Sequence, residues 1–438
     1  MSNTHVEPCY SVVFEAGIDL FKVYDKNTVT DDDFERNCRF IIELGKAAHG
    51  YGSSTARLES FLIRVAEAIG ISGVYTSTPS RIEFAFSRAG QVWQQTHVVQ
   101  LPRCDFNMAK LSYTGELVDD LTADKITLDD AFEKLDEIAA KQNPWGQLSY
   151  GLSYLSVAIG IAGLMQANLW EILASGVLSL VVYAIVVAAE RTGGRFSEAL
   201  PFVSAYLASV CATGTNLFVP ELNPIIVTIS AIIILIPGFQ VSIGIIEIID
   251  NRVEAGTTRL VNGLVYLVKQ FTGAWLGIIT IQMLGSSPAE FAVPTKFVMD
   301  HAVVGLFIAL LFVGVAVAYQ TLIRDLIWVL LSCTLTFTGG IVSSAFLGVE
   351  FSALTAAIVA GLFANTWVRM TGRPTSIVLV PSITVMVSGS IGFRGVVVAA
   401  AGHSDQGMVM FIQMFAIAAS VGAGLLVSNT IMRPKMTL

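Results

Sequence analysis

Charge is spread so unevenly along this 438-residue chain that few architectures remain open to it. Residues 1–146 carry 22 acidic and 14 basic side chains, whereas the following 292 carry only 12 of each, in short clusters between long apolar runs. A lone charge at the centre of a lipid-facing helix costs several kcal/mol, so a chain that sweeps its charges into loops is built for a bilayer. The sequence therefore predicts an acidic, water-facing head followed by a neutral, α-helical polytopic membrane body.

A helix needs about 20 mainly apolar residues to cross the hydrocarbon core. Ten such runs can be drawn: Leu148–Gln166, Leu169–Ala189, Ala199–Val219, Pro224–Gly244, Leu264–Leu284, Ala302–Tyr319, Leu326–Phe346, Ser352–Val368, Ile377–Gly392 and Met408–Met432. The ninth is the shortest, and a re-entrant segment there stays open as an alternative. With both termini cytoplasmic, the inside loops hold Arg191, Arg195, Arg252, Arg259, Arg324, Arg369 and Arg373, and the tail holds Arg433 and Lys435. The outside loops hold only Lys296 and Arg394, a strong positive-inside bias. Glu7, Glu15 and Asp19 interrupt the first 30 residues, against a cleavable signal peptide. Cys9, Cys38, Cys104, Cys211 and Cys333 show neither disulfide nor zinc-ligand spacing, so no metal or cofactor is expected. The expected divisions are an extension (1–29), the head (30–146) and two membrane halves (147–285 and 286–438) of five spans each.

Five spans per half would bring the second half in from the opposite side, the inverted-repeat plan of many secondary transporters. Leu235-Ile236-Pro237-Gly238-Phe239 in the fourth span resembles Leu379-Val380-Pro381-Ser382-Ile383 in the ninth, and each leads to a Ser-Ile-Gly, at Ser242 and Ser390. Val268-Lys269-Gln270-Phe271 likewise resembles Ile412-Gln413-Met414-Phe415. Proline removes an N–H and clashes one turn back, so paired broken helices are expected, and their freed backbone groups need a partner at membrane depth. The candidate substrate-binding residues are Pro237, Gly238, Ser242, Lys269, Gln270, Pro381, Ser388, Ser390 and Gln413. Lys269 reads equally as a site residue or as a cation snorkelling to the headgroups. Asn216, Asn365, Gln282 and Gln413 also fit interhelical hydrogen bonds.

The head has the pattern ααβββαα, an α+β domain, with helices after Thr30 and Gly52, strand-like runs near Val74–Thr76, Arg81–Phe86 and Val92–Val99, and helices over Asn107–Asp120 and Thr127–Lys141. Gly52-Ser53-Ser54-Thr55-Ala56-Arg57-Leu58-Glu59 sets a glycine and three hydroxyls before a helix whose face carries Arg57 and Arg64. Free N–H groups there could hold an anion, or the polar residues could simply tie the head together. No phosphate-loop lysine, nucleophile elbow or Walker motif accompanies it, against a primary pump.

The stretches Gly52–Glu59, Ile69-Gly70-Ile71, Arg81-Ile82, Leu111–Leu135, Ile236-Pro237-Gly238 and Val380-Pro381 through Ser388-Gly389-Ser390-Ile391-Gly392-Phe393-Arg394-Gly395 together resemble the threonine/serine exporter family in its single-chain form, of which fungal pheromone-regulated membrane proteins are a branch. The resemblance runs over about residues 33–433. Ala56 stands where many members carry histidine, and Ser382 and Ser388 where proline or glycine is usual, which puts a proton-transfer role for that histidine in doubt here. The resemblance implies proton-coupled antiport of L-threonine or L-serine, no enzyme activity and no cofactor, in a plasma (inner) membrane or a fungal-type internal membrane. Dicarboxylate export, or a head acting as hydrolase or sensor, remain the alternatives. The implied partners are the lipid bilayer, a small polar substrate and protons; nucleic acid is not among them, and homo-oligomerisation stays open.

Overall fold

The computed structural model describes residues 31–88, 93–101, 106–284, 299–386, 389–400 and 403–433. The extension 1–29, Cys9, Cys104, Lys296, Lys435 and Ser388 lie outside these residues, as does most of the loop between the expected membrane halves.

The head follows the predicted order: α1 (Asp31–Gly50), α2 (Thr55–Ala68), β1 (Ser72–Thr78), β2 (Arg81–Ser87), β3 (Gln94–Gln100), α3 (Met108–Thr122) and α4 (Leu128–Ala140). The strands form one antiparallel sheet in the order β1-β2-β3. Alternate β2 residues Ile82, Phe84 and Phe86 point inward and meet Phe40, Ile41, Leu44, Leu58 and Leu62 from the helices, as the two-residue strand period and the helical stripe require. Helix starts are capped locally: the Asn107 side chain accepts the Lys110 N–H, and Thr127 with Asp130 forms a capping box.

The body consists of α5 (Gly146–Leu164), α6 (Leu169–Thr192), α7 (Gly194–Asn216), α8 (Pro224–Ile232), α9 (Gly238–Ile249), α10 (Val253–Met283), α11 (His301–Ala318), α12 (Ile323–Leu347), α13 (Ser352–Thr371), α14 (Ser376–Met386), α15 (Gly389–Ala400) and α16 (Ser404–Ile431). Among the described residues nine helical segments, α14 and α15 counting as one, are long and apolar enough to cross a membrane. The pair α8–α9, bent by 55°, makes ten. The ninth span is not short: it runs from Ser376 to Ala399 and includes Arg394, which is therefore a span residue and not a loop residue. The fifth begins at Val253, eleven residues before its apolar core, because its polar first turns are packed against the head.

Close contacts in the two halves repeat at a nearly constant offset. A Cβ at Gly244 would stand 2.9 Å from the Gly256 carbonyl, and one at Gly395, 151 residues later, 2.8 Å from that of Gly407. Gly273 lies similarly tight on Phe202 and Tyr206, and Gly424 on Leu354 and Ile358. Elsewhere the sizes are exchanged: Gly263 faces Val241 where Met414 faces Gly392, and Gly277 faces Ser209 where Ser428 faces Gly361. In the first span of each half Gly160 abuts Leu311 and Gly314 abuts Val157. Those spans end in the same turn, with Gln166 (φ +56°) and Gln320 (φ +53°) both left-handed. This register replaces the proline pairing read from the sequence. Gly238 corresponds to Gly389, and the helix continues through Pro381 to Met386.

Candidate functional site

The break in the fourth span meets the ninth span at Gly389. A Cβ at Gly389 would lie 2.7 Å from the Gly238 Cα and 3.0 Å from its nitrogen, so the chains touch backbone to backbone where α9 and α15 begin. Pro237 sets the first break: it cannot donate to the preceding turn, and the Gly238 N–H turns back to the Ile236 carbonyl at 2.8 Å. Ser242 is buried one turn on. Gln270 on α10 is fully buried, and among the described residues neither its amide nitrogen nor its oxygen has a hydrogen-bond partner. A buried amide left without partners costs about 1–3 kcal/mol per group, so this one calls for a ligand or water. Leu267 and Ala274, on either side of Gln270 along α10, pack with Val241, Phe393, Val397 and Met414 from α9, α15 and α16.

Other expected residues lie elsewhere. Lys269 donates to the Glu198 carbonyl at 3.2 Å, at the start of α7, while its neighbour Val268 is exposed. Gln413 is exposed and Met414 takes the buried position. Pro381 is buried inside α14, beside a Ser382 whose hydroxyl donates to the Val378 carbonyl at 2.9 Å. Ser390 offers its carbonyl to Arg394 at 3.4 Å. Asn365 makes the expected interhelical bond, donating to Asn429 at 3.0 Å.

The head motif does not face open water; it is joined to the membrane body. Thr55 donates to Glu247 Oε1 at 2.8 Å, and Glu247 is held by Arg259 through bonds of 3.0 and 3.2 Å, all three residues being buried. Glu59 accepts the Ser77 N–H at 2.8 Å and pairs with Arg252 in the turn between α9 and α10. Gly52 has φ +95°, and a Cβ there would strike the Phe106 ring at 2.6 Å. That ring packs edge-on against Phe239, beside the first helix break, and against Tyr319. Tyr319 and Thr384 share a hydroxyl–hydroxyl bond of 2.8 Å. The motif thus packs against the head-side end of the broken fourth span.

A second junction is made by α3. Met108 and Ala109 donate their N–H groups to the Tyr319 and Gln320 carbonyls at 3.0 and 3.1 Å, satisfying donors that a helix start leaves free. Arg324 bonds Ser112 and pairs with Glu116, and Arg373 pairs with the fully buried Asp325. Burial also moves titrations in the head. His49, almost fully enclosed beside Arg259, is lowered from 6.5 to about 4 by desolvation first and by the Arg259 charge second. Arg57 is lowered to about 10 by desolvation. Sequence reading missed Phe106, Tyr319, Glu247, Arg252 and Arg259 as a unit. The available signal was Glu247, an acid inside the apolar run Ile243–Ile249.

A ten-span helical body whose fourth span is broken where it meets the ninth, topped by a docked α+β head, defines a polytopic membrane transporter. The sequence pattern of ThrE, described as "Putative threonine/serine exporter", matches residues 39–281, more than half of the chain, and the chain belongs to that family. It is also similar to pheromone-regulated membrane protein 10 of Pichia sorbitophila, 22% identical over 86% of this chain and 39% of that protein. The same-named protein of Saccharomyces cerevisiae is 24% identical over 84% of this chain and 48% of its own length. The chain thus spans about half or less of the length of these curated relatives. No solved structure matches it significantly.

Proposed function

We propose that this chain is a secondary active exporter that moves L-threonine or L-serine through the crossing of its broken fourth span with its ninth, coupled to protons. The observation that carries the reading is Gln270, fully buried and without a hydrogen-bond partner among the described residues, on the helix packed beside the crossing. Broken helices expose N–H groups for a carboxylate and carbonyls for an ammonium, while an amide and the Ser242 hydroxyl suit a side-chain hydroxyl. The repeated contacts support two halves of five spans related by a pseudo-twofold axis in the membrane plane, with the division inside residues 285–298. Rocking of one half against the other would then expose the crossing to either side. The arginines at the head-side ends of the spans, among them Arg191, Arg252, Arg324, Arg369 and Arg373, support a head and C-terminus in the cytoplasm.

The test is counterflow in proteoliposomes, with and without a pH gradient. Serine and threonine should exchange, the gradient should drive net flux, and Gln270→Ala should lower uptake at least tenfold in a folded protein. Gln270→Ala flux equal to that of the parent for every substrate would place the site elsewhere.

A further inference from the structure

One edge of the head sheet is left open. β3 ends the order β1-β2-β3, and among the described residues nothing pairs with its outer edge. Six of its seven residues are exposed, and Trp93, just before it, is 85% exposed. Proteins blunt such edges with lysine, proline or an inward charge, because the unpaired N–H and C=O groups there accept any strand. From Gln91 to Leu101 this chain has no lysine, arginine, acid or proline, while Thr96, Val98 and Val99 favour pairing. An edge so unguarded calls for a strand to cover it.

The way the head stands on the body narrows the choice of strand. Near the turn between β1 and β2 the sheet meets the body: Arg81 pairs with Glu254, and the Leu101 N–H donates to the Ser80 carbonyl at 2.8 Å. β3 therefore runs from Gln94, away from the body, to Gln100, beside it. A second copy of the chain fits this poorly. The twofold axis that pairs two such edges antiparallel lies across the strands and points the two bodies in opposite directions, which one bilayer does not accept. The chain's own extension fits. Arg88, just past the β2 residue paired with Gln94, stacks its guanidinium on the Phe34 ring at 4.5 Å, in the first turn of α1. Since α1 starts at Asp31, residues 1–30 leave from the Gln94 end of β3. Among them Ile18, Phe21, Val23 and Tyr24 favour a strand, and Asp25 and Asn27 follow as turn residues.

We infer that residues 18–24 add to the head sheet as a fourth strand, antiparallel to β3, with Tyr24 level with Gln94 and Ile18 level with Gln100. Residues 25–30 make the return, with a reach of up to about 20 Å. This register sets Phe21 beside His97 and Val23 beside Gln95, on the side of the core residues Phe84 and Phe86. Leu20 then covers Val98 on the outer side, and Lys22 lies against Thr96. The new edge carries Asp19 and Lys22, the guarding charges that β3 lacks. Main-chain bonds hold the segment, and the alternation of its side chains fixes the register. The strand does not depend on the exporter reading.

Hydrogen exchange, read by mass spectrometry on the full chain in detergent and on a chain lacking residues 2–24, tests this. The deletion should speed exchange of the β3 amides that face the open edge about tenfold or more, and leave β1 unchanged. Equal β3 exchange in the two chains overturns the strand. Phe21→Pro, which breaks the pairing from within, should reproduce the deletion, whereas Ser11→Pro should match the parent. If Ser11→Pro acts as strongly as Phe21→Pro, the assignment to residues 18–24 falls. Trypsin gives a second reading that needs no variant and decides if the shortened chain does not fold. Relative to the rates in the urea-unfolded chain, Lys22 inside the strand should be cut about tenfold more slowly than Lys26 in the return. Equal relative rates overturn the proposal. β3 protection that survives the deletion but falls on dilution assigns the edge to a second copy, and also overturns it.

Discussion

The hydrogen bonds that bracket the corner between α9 and α10 recur around the corner between α15 and α16, and the two are put to different uses. In the first, the Arg252 N–H donates to the Glu247 carbonyl at 2.8 Å and the Gly256 N–H to that of Arg252 at 2.9 Å. In the second, 151 residues on, His403 donates to Val398 at 3.2 Å and Gly407 to His403 at 3.0 Å. The dihedrals agree as well: φ −95°, ψ 59° at Arg252 and φ −100°, ψ 57° at His403. Yet the head-side corner carries Glu247, Arg252 and Arg259, all engaged with one another or with the head, where the far corner carries Val398, His403 and Met410. The turns after α5 and α11 differ in the same way. Gln320 and its neighbours receive the start of α3, while among the described residues Gln166 takes part in no contact with the head. The difference teaches that the repeat fixes backbone approach, and that charge was laid on one side of it to hold the head.

The largest effects should fall where the two halves are alike. A Cβ at Gly273 would stand 2.3 Å from the Phe202 carbonyl, and one at Gly424 2.5 Å from that of Leu354. Gly273→Leu and Gly424→Leu should each prevent accumulation of folded protein, because backbone cannot yield to a new side chain as a rotamer can. Size-exclusion profiles in detergent check this, and a well-folded variant in one half only would break the equivalence. Next in size comes the contrast itself. Glu247→Ala leaves Arg259 buried without its acid and should cost about 3–5 kcal/mol, whereas Val398→Ala, with no charge to strand, should cost about 1 kcal/mol. Thermal unfolding of both variants decides; equal losses would mean that the ion pair contributes nothing specific.

The sequence displays the elements and hides their pairing. Spans and head helices follow from hydrophobic period and capping residues, so the order ααβββαα and ten crossings were legible. The repeat register was not, because packing conserves the sum of two side chains and not each one: Val241 with Gly263 becomes Gly392 with Met414, and Ser209 with Gly277 becomes Gly361 with Ser428. Pro237 and Pro381 therefore looked equivalent, whereas Gly238 and Gly389 are. A similar blindness covers the head motif. Its hydroxyls and charges were visible as a helix start, but Thr55, Glu59 and Arg57 find their partners 192, 193 and 319 residues away. Lys269 drew notice as a charge in a span, and Arg394, with the stronger claim to that description, was hidden by a ninth span drawn eight residues too short.

The head-side corner should also respond to acid. His49 faces Arg259 from α1, and its pKa lies near 4 when folded against 6.5 ordinarily. As pH falls below 6.5 the unfolded chain binds a proton that the folded chain refuses, so stability drops until pH 4 and then levels. The loss should reach about 2–3 kcal/mol at the acid end. Measuring Tm from pH 7.5 to 4 in His49→Leu should show a flatter profile over that window. Val398→Ala at the far corner, which removes no titratable group, should keep the parent slope. If both variants keep the parent slope, other carboxylates of the junction carry the acid response.

The smallest effect belongs to the outermost contact of the same junction. Arg81 on β2 pairs with Glu254 at 2.9 Å in the first turn of α10, but the two side chains are 46% and 66% exposed. At that exposure solvent screens most of the attraction, and holding two long side chains costs entropy, so the pair should contribute no more than a few tenths of a kcal/mol. Arg81 also keeps Glu83 at 3.3 Å as an alternative partner, which softens the loss of Glu254 further. Glu254→Gln should therefore shift Tm by less than a degree or two, and raising the salt concentration should erase the remainder. A shift as large as that of Glu247→Ala would mean that the junction acts as one cooperative charge network, and that its strength is not confined to the buried Glu247–Arg259–Thr55 contact.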